Sequence, residues 1–305
     1  LDGARGAAPG RDWSTALSRL ERATDRWQPS AEQRLELGRA RFDVQLEWAG
    51  YELEEGRFRS AYRRAESALG ILGRGSPEAG RALDVQEEAL RRGTVRVAAL
   101  PVISTEAVRP RLPAGLLDEL NDELALTRWA REPLFVEIVD PQATAREFRR
   151  EGLHRRGVST RDAALLGQRL GAGIVVVAEV DTVRADTAER RATRRPARTR
   201  AGVDTAYTVE EGRRELWVNV NLAVVEVDTR RVLETDRVSG QASRRFRRGG
   251  FAGDWRTLSL SREERDLFDE DAAEDDEHEL VRELVVGLSD RLARAVYDRA
   301  LRYVD

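Results

Sequence analysis

Residues 171–180, GAGIVVVAEV, carry the signal that decides the fold. Their apolar positions follow one another without alternation, which predicts a strand buried on both faces, as in a sheet covered by helices. The preceding stretch, TRDAALLGQRL at 160–170, predicts a helix opened by Ser159 in cap position and closed by Gly171. Reading toward the amino terminus, TVRVAALPV at 94–102 predicts a strand, 113–130 a helix, LFVEIV at 134–139 a second strand and 143–153 another helix. Strands alternating with helices of this length give an α/β sheet packed by helices. Toward the carboxy terminus the pattern turns antiparallel. ELWVNVNLAVVEV at 215–227 reads as a long strand, DTRR at 228–231 as a turn and VLETDRVS at 232–239 as the return strand. A last helix, about 279–303, carries Leu280, Leu284, Leu288, Leu292 and Val296 every fourth residue, a stripe that closes the sheet.

The amino-terminal third obeys a different grammar. From Asp12 to Arg92 the periodicity is helical, with Gly and Pro confined to junctions. After Gly56, the residues Phe58, Ala61, Ala65 and Ala68 fall on one helical face, and the alanines permit close approach of a neighbouring helix. Trp13, Ala16, Leu20 and Ala23 repeat that spacing, with Trp13 in the place of Phe58. The segment from Ala31 to Glu55, with Trp48 near its end, reads as the partner helix, and Ser76-Pro77-Glu78 opens a further one. The pattern resembles degenerate tetratricopeptide units, although Trp13 and Phe58 lie 45 residues apart where the regular repeat has about 34. The expected fold class is therefore α/β (α+β): a flexible tether at 1–11, a helical-repeat domain at 12–92, and a mixed sheet packed by helices at 93–305.

Composition narrows the chemistry. The 305 residues include no Cys, which removes disulfide, thiolate and zinc-thiolate readings together. Only His154 and His278 are present, which leaves little for imidazole catalysis or multi-His metal sites. Every one of the 52 cations is Arg, and against 55 acids the net charge is −3, a balance that argues against a general nucleic-acid binder. No G-x-S-x-G, Walker loop or H-E-x-x-H occurs, and the Gly171/Gly173 pair precedes its strand, the wrong order for a dinucleotide site. No cofactor or metal is expected, and the protein reads as a non-enzyme. The enzyme alternative rests on the carboxylates Glu179 and Asp181 at the strand end, and would require one concave pocket holding both. The chain starts without Met on the small, flexible LDGARGAAPG, so a signal peptide or lipid-bearing Cys is expected to have been removed or to lie outside these residues.

The block AALLGQRLGAGIVVVAEV at 163–180, the strand ending Ala99-Leu100-Pro101 and the hairpin NVNLAVVEVDTRRVL at 219–233 together resemble the periplasmic domain of the CsgG family, with related domains in LpoB and at the amino terminus of TolB. The resemblance spans about 94–303. Gly173 stands where Asp is common in the family, Ala178 where Gly is common, and Arg231 where Gly closes the turn. The resemblance implies an extracytoplasmic lipoprotein domain, periplasmic or associated with the outer membrane, that oligomerises or docks to other envelope proteins. It carries over no catalytic residue. A secretion-channel subunit of the CsgG type is an alternative role, and it would need two membrane hairpins. The equivalent insertions, 185–214 and 243–279, are instead rich in charge, and an arginine at mid-membrane costs about 2–4 kcal/mol.

Two charge blocks stand out within or beside these insertions. Arg190, Arg191, Arg194, Arg195, Arg198 and Arg200 form a run without an acid, expected to be a disordered, solvated insertion. Residues 263–279 hold eleven carboxylates against Arg265 alone, among them Asp269, Glu270, Asp271, Asp275 and Asp276, and are expected to form an exposed acidic linker. The blocks could pair within or between subunits. Calcium loops need a glycine that this run lacks. GGFAGDW at 249–255 offers Phe251 and Trp255 on a glycine-freed backbone, either as a docking loop or as aromatics tucked against the sheet. Together with Trp13, Trp48 and Phe58 they are the candidate protein-docking residues. The partners expected are other envelope proteins or a second copy, and no nucleic acid.

Overall fold

The structure, a computed structural model, describes residues 12–26, 29–126, 134–153 and 157–304, with the side chains of 24–26 and 270–275 left aside. The tether expected at 1–11 and His154 lie outside the described residues. The chain divides into two compact units. One holds the described residues through Arg96 with those of 132–137 and 298–305; the other holds those of 97–131 and 138–297.

The first unit is built on four helices, α1 (Trp13–Arg26), α2 (Ala31–Glu54), α3 (Phe58–Leu72) and α4 (Ala79–Gly93). Helix α2 starts on a capping box in which the Ser30 hydroxyl accepts from the Gln33 amide while the Gln33 side chain accepts from the Ser30 amide. Ala61, Ala65 and Ala68 are fully buried on α3, so the small face does bring helices together. Gly93 ends α4 against Phe58, where a Cβ would come within 2.4 Å of the Phe58 Cβ.

The rest of the described chain is organised by a six-stranded sheet of order β3-β1-β4-β5-β6, with β2 also on β4. The elements are β1 (Val95–Ala99), β2 (Ile103–Ser104), α5 (Leu116–Leu126), β3 (Val136–Ile138), α6 (Pro141–Arg150), α7 (Thr160–Leu170), β4 (Ile174–Arg198), β5 (Asp204–Glu226), β6 (Arg231–Gly250), α8 (Arg262–Asp266) and α9 (Glu270–Ala300). Strands β1 and β2 run parallel to β4, and β4, β5 and β6 are antiparallel. The class is α/β with helices packing on a mixed sheet.

Ile174 to Val180 is the buried strand expected, covered on both faces. On one face Ala163, Ala164 and Leu166 of α7 pack on Val175, Val225 and Val227. The approach is close enough that a Cβ on Gly167 would sit 2.5 Å from methyls of both Val175 and Val227. On the other face lie Leu216, Val218, Val220 and Leu222, and Gly240 of β6 touches Leu284 and Leu288 of α9. The whole stripe of Leu280, Leu284, Leu288, Leu292 and Val296 is buried, at most 6% exposed.

The two charged insertions are corrected by the structure. The arginine run expected as a solvated insertion is strand up to Arg198: residues 185–198, 204–214 and 243–250 form the outer halves of β4, β5 and β6, which continue as a three-stranded antiparallel ribbon with a two-residue bulge at Ala188/Arg191. The run expected as an acidic linker is helical, because α9 begins at Glu270 rather than near Glu279. Backbone pairing along the ladder, not an apolar face, holds this part of the sequence extended.

Candidate functional site

The ribbon gathers most of the residues singled out for docking and charge. The β5–β6 ladder is unbroken from Thr208 to Val224, so residues two apart on β5 keep to one face along its length. Even-numbered residues of β5 face α9; odd-numbered ones face the opposite side. At the ribbon's tip the odd face acquires its own small core. Tyr207, Val209, Leu258 and Phe268 are buried together, with Phe251 and Trp255 partly buried against them. The Trp255 ring stacks on Phe268 at 5.2 Å, and Gly249 lies flat beneath the Phe268 ring, where a Cβ would sit 2.7 Å from it. The Tyr207 hydroxyl donates to Glu264 Oε1 at 3.0 Å. Burial, and then the Glu264 carboxylate, push the Tyr207 phenol above its ordinary range, while amide and hydroxyl donors from Ser261 hold Glu264 low. The glycine-rich segment is therefore a folded tip whose two aromatics are tucked against the sheet.

Between tip and body the ribbon is held by ion pairs. On the α9 side, Glu210 lies between Arg190 and Arg248, the latter at 2.9 Å, and these cations keep its carboxyl below the usual range. Arg244 reaches Asp276 at 2.8 Å and also Glu279, and Arg214 reaches Glu277 at 3.5 Å. On the other face Arg247 meets Glu211 at 2.9 Å, and Arg213 meets Glu189 and Glu215 at 3.1 and 2.7 Å. The acidic start of α9 is thus matched by Arg214 and Arg244 in the strands. Earlier in the acidic run, the charge of Arg195 from the 190–200 block helps to hold Glu264 low. The side chains of Glu270, Asp271 and Asp275 lie outside the described residues; Asp269 is exposed at the start of the helix.

Within the arginine block the six cations fare differently. Arg190 pairs with Glu210 and Arg198 with Asp204 at 2.8 Å. Arg195 lies across the ladder from Tyr207. Arg191, Arg194 and Arg200 are exposed and have no acidic partner among the described residues. The register puts Arg191 opposite Glu211 and Arg194 opposite Thr208, so these two project from opposite faces of β4.

The remaining docking candidates belong to the helical unit. Trp13, 8% exposed, stacks on Trp48 at 6.1 Å and packs against Tyr51 at 4.9 Å. Trp48 Nε1 donates to Glu52 at 2.7 Å, and the Arg64 guanidinium lies 3.3 Å over the Trp48 ring, its desolvation there lowering the Arg64 pKa. Phe58 is half-buried against Gly93. All three serve the unit's own packing. Of the strand-end carboxylates, Glu179 lines a cleft of about 620 Å³ together with Asn221 and Arg237. Asp181 sits at the β4 bulge and takes Arg237 at 2.6 Å and the Asn221 amide at 3.0 Å. Sequence reasoning did not find this cross-strand network, in which Asn221 faces Arg237 across the β5–β6 ladder and Asp181 joins them from the bulge. Its only signal was Asn221 interrupting the apolar run of β5. No group of three or more His, Asp or Glu among the described residues is placed to hold a metal ion.

No protein-family model and no curated protein matches the chain. Among solved structures, the lipoprotein GNA1162 from Neisseria meningitidis is 12% identical over 49% of this chain and 83% of its own, with a TM-score of 0.27. The hypothetical protein CT253 from Chlamydia trachomatis is 16% identical over 65% of this chain and 98% of its own, with a TM-score of 0.26. No helix of the described residues is long and apolar enough to cross a membrane.

Proposed function

We propose that the chain is a non-enzymatic cell-envelope lipoprotein that works as an adaptor or self-assembling scaffold, docking to envelope proteins or to further copies of itself. The envelope location comes from the resemblance of 163–180 and 219–233 to CsgG-type domains. The observation that supports docking is the ribbon. The strands β4, β5 and β6 run on beyond the helix-covered sheet, hold themselves by internal ion pairs and a tip core, and leave the outer half of β4 without a neighbouring strand among the described residues. A sheet edge of that length is a binding template. The channel reading finds no support in the ribbon, because arginines leave both of its faces, and neither face offers an apolar surface to lipid. Native mass measurement of the protein taken from its envelope tests the proposal. The expected spectrum shows added mass from a lipid anchor and species containing a partner or several copies. A bare monomer without anchor or partner would contradict it.

A further inference from the structure

We propose that the outer edge of β4, residues 182–197, takes up an extended acidic segment of a partner protein as an additional strand. Among the described residues no strand pairs with this edge over that span. Strands β1 and β2 pair with β4 only at 174–176 and 179–180, and the 257–259 segment covers only its far end, where the Ser259 amide donates to the Arg198 carbonyl at 2.8 Å. Between these limits every second residue of β4 directs its N–H and C=O away from β5. The other edge, on β6, is partly used: the Gly249 amide donates to the Leu267 carbonyl and Arg291 donates to the Ser239 carbonyl.

Charge names the occupant. Glu210 and Glu211 of the ribbon are engaged by arginines of neighbouring strands, while Arg191 and Arg194 on the β4 edge meet no acid among the described residues. A strand laid along this edge would place its side chains across from them, and carboxylates would meet both. A flat anionic surface fits less well, because Arg191 and Arg194 leave opposite faces and one plane reaches only one of them. The same cations also repel a basic strand, which gives the edge selectivity as well as affinity.

The inference rests on the docking role proposed above and is tested on the full chain by fluorescence anisotropy. The probe is a labelled peptide of Glu, Val and Thr, about twelve residues long, enough to span about 40 Å as a strand. Controls are its Lys counterpart, the same acidic peptide N-methylated at alternate residues, and vesicles of anionic phospholipid. Saturable binding of the acidic peptide is expected. It should weaken about tenfold on N-methylation and about tenfold in the Arg191→Gln/Arg194→Gln variant, and the Arg191→Lys/Arg194→Lys variant should keep most of it. Equal affinity for the N-methylated peptide would reduce the contact to charge attraction and overturn strand addition. Binding of the vesicles but not of the peptide would overturn it in favour of a membrane surface. Partners in the native mass combined with indifference to the peptide would remove this inference and leave the docking role standing.

Discussion

The inner and outer halves of β4, β5 and β6 are one continuous ladder stabilised in two different ways. In the inner half, Val175, Val218, Val220 and Leu288 are fully buried, and helices cover both faces of the sheet. In the outer half, cross-strand arginine–glutamate pairs and a four-residue buried cluster do the same task. Exposed ion pairs are worth about 0–1 kcal/mol each, whereas a buried leucine is worth several times that. The comparison teaches that the outer half borrows its order from the inner half: the strands are registered where they are buried, and the ribbon continues that register outward.

The account can be broken most easily at the body. Leu288→Ala, at a fully buried position on α9 against Gly240, should lower global stability by about 2–5 kcal/mol and loosen inner and outer strands together. Chemical denaturation followed by far-ultraviolet circular dichroism would measure it, and a ribbon that survives would show independent folding. At the tip, Phe268→Ala should have a smaller effect, up to about 3 kcal/mol, seen as loss of near-ultraviolet signal from Tyr207 and Trp255 while the denaturation midpoint of the body moves little. A full global shift would mean that the tip core supports the whole sheet.

Glu210→Gln should have the smallest effect, below about 1 kcal/mol at neutral pH. Arg248 and Arg190 hold the Glu210 carboxyl below its ordinary value of 4.5, so its contribution is present above that pH and lost as the pH falls through the lower folded value. The gap between wild type and variant should therefore be open at pH 7, narrow below pH 4.5 and close in stronger acid. A gap that persists in strong acid would assign the loss to packing instead of charge.

How much of this was legible in the sequence follows the same division. The α7–β4 junction, the hairpin turn at 228–231 and the leucine stripe of α9 were readable because burial imposes a period on apolar residues. Helix α7 falls at Thr160–Leu170 as expected. The outer strands carry no such period. Residues 190–198 offer no apolar alternation, so a reading based on hydrophobicity assigns them to solvent. Their order comes from pairing partners distant in sequence: Glu210 and Glu211 on β5 against Arg248 and Arg247 on β6. Tyr207 and Val209, alternating within 204–209, were the local hint of a strand. The candidate site was legible in part, since the arginine block and the aromatic tip were marked as unusual. Which arginines stay unpaired depends on register, and register is set by the buried half of the ladder.

Amide hydrogen exchange along residues 182–197 tests the central claim most directly. The account predicts alternating protection, slow at residues whose N–H donates to β5 and fast at those pointing outward from the open edge. Uniformly fast exchange would contradict the folded ribbon, and uniform protection in the isolated protein would contradict the open edge.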